Sequence, residues 1–182
     1  LIIAPCGSGK TTAAINKIAA LASSPRKALF LIDTQNGNLR LAQNEALTLP
    51  YTFFPQFAGK ASAFPSKEIP DKVVVTTYAQ FGAWTVFYPD FLSRFDIIIC
   101  DEAHNIITFP NYSPQPNFPA AARDTICQLA ADPNILVVGI TATPEPLDKL
   151  ACPQHIVPLD SSELRQYENH NIQPYSSLRQ TL

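Results

Sequence analysis

Short β-branched runs separated by stretches of helical spacing leave this chain few folds to choose from. Val73 to Thr77, Phe95 to Cys100 and Ile135 to Ile140 are each of strand length, and β-branched or apolar almost throughout. A strand without a polar face has to be covered on both sides, which a parallel sheet between two helical layers achieves. Leu1 to Ile3 and Ala28 to Ile32 extend the series, and Tyr51 to Phe54 fits a short strand. Helical spacing recurs from Thr11 to Ala22, over Leu39 to Leu47 after the turn-forming Asn36-Gly37-Asn38, and from Ala120 to Ala131. The expectation is an α/β domain, a mostly parallel β-sheet with helices on both faces.

Other stretches resist a regular assignment. Pro50 to Lys72 mixes aromatics, prolines and lysines without a period, and the four prolines between Pro110 and Pro119 argue for an exposed loop that cannot be helical. After Pro158 the chain turns polar, with Ser161 to Tyr167 as a short helix at most. The 182 residues, 46% of them hydrophobic, suit one domain over 1–160 and leave no room for a second. The chain opens inside an apolar run and contains no methionine, which points to a piece of a longer protein.

Composition excludes several classes of chemistry. Cys6, Cys100, Cys127 and Cys152 are scattered without a C-x-x-C pair, so neither a zinc site nor a disulfide framework is indicated. No apolar run approaches the ~20 residues of a membrane span, and no signal peptide opens the chain, so a cytoplasmic protein is expected. A formal net charge of -2 supplies no basic patch, so any nucleic-acid contact has to be local.

Ala4-Pro5-Cys6-Gly7-Ser8-Gly9-Lys10-Thr11 stands between the first strand and the first helix. It has the Walker A pattern, with alanine where the general pattern begins with glycine. A phosphate chain needs inward-turned backbone N–H groups, hence the small Gly7 and Gly9, and it gains from the positive end of the following helix. Lys10 would reach the β- and γ-phosphates and the Thr11 hydroxyl would coordinate magnesium, so the segment Pro5, Cys6, Gly7, Ser8, Gly9, Lys10, Thr11, Thr12 is the candidate ATP site.

Ile97-Ile98-Ile99-Cys100 runs directly into Asp101-Glu102-Ala103-His104. Two carboxylates thus emerge at the carboxyl end of a buried strand, where open α/β sheets bind their ligands. Asp101 would hold magnesium, largely through water, and Glu102 would orient and deprotonate the attacking water. Thr141-Ala142-Thr143-Pro144 leaves another strand at the same edge, where its hydroxyls can reach His104.

The ordered set A-P-C-G-S-G-K-T, D-E-A-H and T-A-T-P resembles motifs I, II and III of the DEAD/DEAH-type superfamily 2 helicases and translocases, over most of the chain. The resemblance implies the first RecA-like P-loop NTPase domain, with the motif III strand between the Walker A and Walker B strands. It implies ATP and Mg2+ as cofactors, Lys10, Asp101 and Glu102 as catalytic residues, and His104, Thr141 and Thr143 as the residues that couple the nucleotide site to movement. Thr34 to Gln43 is similar to motif Ia and Thr76-Thr77-Tyr78 to the following TT-type motif, which implies backbone contacts to nucleic acid by Thr34, Asn36, Thr76 and Thr77, with Gly59 as a further candidate. Hydroxyls and amides bind phosphates without a basic patch. Thr76 and Thr77 equally suit a β-branched strand, and Asn36 to Asn38 a turn.

The family's adenine-recognition segment and second RecA-like domain, with its arginine fingers, are expected outside these residues, and 161–182 resembles the connector towards that domain. Arg165 and Arg179 match neither role. Because such an arginine is worth about 10³–10⁵ in rate in related GTPases, these residues alone are expected to be a poor ATPase. DNA is the expected partner rather than RNA. Two other readings are compatible with the motifs: a nucleotide-gated binding module that does not unwind, and a P-loop ATPase outside the helicases.

Overall fold

The computed structural model describes residues 1–4, 8–54, 71–113 and 115–150. Among these, six strands form one sheet: β1 (Ile2–Ile3), β2 (Lys27–Ile32), β3 (Tyr51–Phe54), β4 (Val73–Thr77), β5 (Phe95–Asp101) and β6 (Leu136–Thr141). They lie in the order β1-β6-β5-β2-β4-β3 and every pairing is parallel. The strand that ends in T-A-T-P therefore lies between the Walker A strand and the strand that ends in the acidic motif, as the resemblance implied.

The apolar runs are apolar because both faces are covered. Leu29, Leu31, Val74 and Ile98 point to one side, where they pack with Tyr78, Phe81 and Trp84 of α3 (Tyr78–Phe87) and Ala122 and Ile126 of α5 (Phe118–Leu129). Their alternates Phe30, Ile32, Val73, Val75, Ile97 and Ile99 point to the other side, against Ala14, Ile15 and Ala19. Fully burying side chains of this size stabilises by about 1.5–3 kcal/mol each, so the central strands carry most of the core.

The helix after β1 forms where its spacing placed it, but its hydrogen bonding is not uniform. An α-helical turn, α1 (Lys10–Ala13), passes into a π-helical stretch over Ala14–Ile18 and a 3-10 turn over Ala19–Leu21. The Lys72 ammonium donates to the Ala20 carbonyl at its far end, where helices leave carbonyls unpaired.

Two expectations need correction, and one helix was not expected. The helix expected over Leu39 to Leu47 is α2 (Gln35–Ala42), so Asn36-Gly37-Asn38 lies inside it rather than in a turn before it. Extended Thr34 is its N-cap, and Gly37 serves close packing: a Cβ there would come 3.2 Å from Ile32 Cδ1. After α4 (Asn105–Thr108), the stretch from Pro110 to Pro119 is helical at both ends, with a 3-10 turn over Phe109–Asn111 and the start of α5. Pro119 falls in the first turn of α5, where the missing N–H costs nothing, and the Asn117 side chain caps that turn by accepting the Ala120 N–H at 3.0 Å. Finally, α3 follows β4 directly in a stretch to which the sequence pattern assigned nothing. The short helix and connector expected over 161–182 lie outside the described residues.

Candidate active site at the carboxyl edge

Because every described strand is parallel, the ends of β1, β5 and β6 open on one edge of the sheet, and their register brings three motifs side by side. Ile3 pairs with Thr141 and Asp101 with Ile140. The Ala4 N–H continues the ladder to the Thr141 carbonyl at 3.0 Å, and the Ala103 N–H reaches Ile140 O at 2.9 Å. Pro5, Cys6 and Gly7 lie outside the described residues. In the described part of the loop, Gly9 has φ +76°, a conformation that L side chains rarely adopt, with open space where a Cβ would project. The buried Ser8 hydroxyl has no hydrogen-bond partner among the described residues. A buried orphan hydroxyl beside the open N-terminal turn of a helix suits an incoming anion.

Thr11 and Asp101 face each other across this edge, the hydroxyl 3.3 Å from both Oδ1 and Oδ2. Burial, and then the neighbouring charge of Glu102, push the Asp101 carboxyl up to about 6; the hydrogen bond from Thr11 works against the rise. A hydroxyl beside a half-desolvated carboxylate is a donor set for a hard divalent cation. No group of three or more His, Cys, Asp or Glu side chains suited to a metal occurs among the described residues.

Glu102 is the described non-glycine residue with positive φ, at 46°. This left-handed turn is strained for a glutamate and is held by the Glu102 N–H donating to Asp101 Oδ1 at 3.2 Å and the Asn105 N–H donating to Glu102 O at 2.8 Å. It brings Glu102 Oε1 to 3.5 Å from Lys10 Nζ and Oε2 to 3.6 Å from His104 Nδ1. The lysine side chain is 8% exposed and the glutamate 33%, so a buried cation meets a carboxylate that reaches solvent.

His104 Nδ1 lies 3.0 Å from Thr141 Oγ1 and 3.0 Å from Thr143 Oγ1. Thr143 N–H in turn donates to Thr141 Oγ1 at 3.1 Å, which closes a polar knot between the acidic turn and the end of β6. The imidazole tautomer decides which group holds the shared proton.

The residues named for nucleic-acid contact are scattered in role. Thr34 is exposed at the start of α2, with its N–H bonded to Asp33 Oδ1 at 2.6 Å. Thr76 and Thr77 are buried: the Thr76 hydroxyl donates to Phe54 O at 2.9 Å and Thr77 Oγ1 accepts the Gln80 N–H at 3.2 Å as the N-cap of α3. The side chain of Asn36, and Gly59 altogether, lie outside what is described.

Sequence reasoning gave no role to two residues of this site. Tyr78 sends its hydroxyl to the Asp101 carbonyl at 2.8 Å; burial holds its phenol well above the ordinary range, so it stays a donor. Asn44 donates through Nδ2 to Thr12 Oγ1 at 2.7 Å. Tyr78 follows the Thr76-Thr77 pair and was available as a signal, whereas nothing near Asn44 marks it.

Over residues 1–146 the chain matches the family model described as type III restriction enzyme, res subunit. No curated protein sequence matches it. Among solved structures, the Hef helicase domain of Pyrococcus furiosus aligns at a TM-score of 0.55 and 24% identity, over 91% of this chain and 36% of that one. S. cerevisiae Dbp5 bound to RNA and ADP BeF3 aligns at 0.54 and 16% identity, over 90% and 42%. The ATP-dependent type ISP restriction-modification enzyme LlaBIII bound to DNA aligns at 0.50 and 18% identity, over 79% and 11%. At these identities the likeness establishes the fold, and the chain spans less than half the length of each of these structures.

Proposed function

The chain belongs to the type III restriction enzyme res-subunit family and has the RecA-like fold of superfamily 2 helicase domains, and on that premise we propose that it is the ATP-binding half of a motor that hydrolyses ATP to move on DNA. The observation that carries this reading is the convergence of two motifs 90 positions apart: Lys10 Nζ lies 3.5 Å from Glu102 Oε1, and the Thr11 hydroxyl lies 3.3 Å from both carboxylate oxygens of Asp101. P-loop phosphoryl transfer asks for these four groups in one place.

In this reading Lys10 neutralises the terminal phosphates, and the Ser8 hydroxyl and the N-terminal amides of α1 bind phosphate oxygens. Thr11 and Asp101 would hold magnesium, which would supply positive charge to offset the negative charge that develops on the phosphates. Glu102 orients the attacking water and accepts its proton, a role that suits a carboxylate 33% exposed with one oxygen turned to Lys10 and the other to His104. His104, Thr141 and Thr143 transmit the state of the site to the end of β6. A second RecA-like domain, reached through 161–182, supplies arginines that stabilise the transferring phosphoryl.

The family's description as a restriction enzyme subunit and LlaBIII bound to DNA support DNA as the track. Dbp5 bound to RNA has a similar fold, so the fold does not choose between the two. ATP hydrolysis by the full-length protein, measured with duplex DNA, single-stranded DNA and RNA, tests the proposal. Stimulation by DNA is expected. Hydrolysis indifferent to every nucleic acid would favour a P-loop ATPase outside the helicases, and binding without stimulated turnover a nucleotide-gated module.

A further inference from the structure

The turn after α2 is fastened to the first helix by side-chain amides. Asn16 Nδ2 donates to Ala46 O at 2.7 Å, and Asn16 Oδ1 accepts the Thr48 N–H at 2.9 Å. Asn44 makes a second bridge, from Nδ2 to Thr12 Oγ1 at 2.7 Å. Its other end accepts the Ala46 N–H through Oδ1 at 3.1 Å. That second bond settles which end of the amide faces Thr12, since only the oxygen can accept a backbone N–H.

An amide NH₂ can only donate, so Thr12 Oγ1 is the acceptor of the bond with Asn44. Its own proton is then left to be given elsewhere, and among the described residues the Thr12 hydroxyl donates to nothing. Thr12 directly follows Thr11 in the first turn of α1, so its side chain lies one helical step of about 100° from the candidate cation ligand. On the reading proposed above, Lys10 and Thr11 take the terminal phosphate and the cation, and the Thr12 hydroxyl is assigned to a phosphate nearer the nucleoside.

We infer that Asn44 is a positioning residue of the nucleotide site: by donating to Thr12 Oγ1 it aims the Thr12 hydroxyl proton at a phosphate oxygen common to ATP and ADP. The inference rests on the nucleotide-binding reading proposed above. It also gives the turn after α2 a defined task, because Asn16 and Asn44 hold that turn where the amide can reach Thr12.

Calorimetry on the full-length protein with MgADP and with Mg-AMP-PNP tests it in Asn44→Ala, Asn44→Asp, Thr12→Val, the Asn44→Ala/Thr12→Val pair and Lys10→Ala. Asn44→Ala should weaken both nucleotides equally, about five-fold. Thr12→Val should weaken both about ten-fold or more, as expected for a hydrogen bond to a charged group. The double variant should bind no more weakly than Thr12→Val alone, since the amide acts through the hydroxyl. Asn44→Asp keeps the acceptor for the Ala46 N–H and so the turn, yet cannot donate to Thr12, and it should also weaken both ligands.

Unchanged affinity in Asn44→Ala or Asn44→Asp, or losses that simply add in the double variant, would overturn the role of Asn44. Lys10→Ala separates the two claims. If it binds both nucleotides as tightly as the unaltered protein, the nucleotide reading itself fails; if it loses them while Asn44→Ala keeps them, only the inference about Asn44 fails.

Discussion

Both carboxylate oxygens of Asp101 lie 3.3 Å from the Thr11 hydroxyl, although 90 positions separate the two in sequence. Parallel registry produces this meeting, because β1 and β5 flank β6 and release their loops at the same edge. The cost is visible in the carboxyl of Asp101, which burial and Glu102 push up to about 6.

Asp101→Asn should therefore stabilise the protein at neutral pH. The folded-state value lies above the unfolded one, so Asp101 imposes no penalty while protonated in both states and an increasing one as pH rises from about 4 through about 6. Two units correspond to about 3 kcal/mol at the plateau. Thermal melts of the variant and the unaltered protein should diverge at pH 7.5 and converge towards pH 4, while magnesium-dependent nucleotide affinity is lost. Equal melting temperatures at pH 7.5 would show that Asp101 is not desolvated.

A stability prediction free of the active site concerns Gly82, where α3 crosses α5. A Cβ at this position would lie 1.8 Å from the Phe118 carbonyl oxygen, a backbone atom that cannot step aside. Gly82→Ala should cost at least about 3 kcal/mol by forcing the helices apart, the upper end for overpacking. Urea unfolding reads this directly, and a midpoint unchanged from the unaltered protein would mean that the α3–α5 contact is looser than described.

His104, Thr141 and Thr143 should act as a unit. With His104 Nδ1 3.0 Å from both hydroxyls, His104→Ala and Thr141→Val remove the same interaction. In nucleic-acid-stimulated ATP hydrolysis by the full-length protein, each should lower stimulation several-fold, with nucleotide affinity kept, and the double variant should lose little more than either alone. Fully additive losses would assign the residues separate roles.

How much of this could be read from the chain divides along physical lines. The buried strands announced themselves, since Val73-Val74-Val75 and Ile97-Ile98-Ile99 have no reason to be apolar on both faces except burial on both. The chemistry of Lys10, Thr11, Asp101 and Glu102 sits in motifs contiguous in sequence, and the fold had only to bring two of them together. Helix α3 escaped notice because Phe81, Ala83 and Trp84 are all buried, so no polar stripe reveals a helical period. Helix α2 was misplaced because Asn36-Gly37-Asn38 spells a turn locally, while the contact of Gly37 with Ile32 is visible only in three dimensions. The same holds for Asn44, whose bond to Thr12 spans 32 positions.

The proposal that Lys10 cradles phosphate while Glu102 handles the proton is tested most directly by titrating MgATP into Lys10→Ala and Glu102→Gln variants of the full-length protein and measuring hydrolysis alongside. Lys10→Ala should lose binding, whereas Glu102→Gln should keep it and hydrolyse at least about a hundred-fold more slowly, the scale of general base catalysis. Undiminished binding by Lys10→Ala, or undiminished turnover by Glu102→Gln, would contradict the assignment.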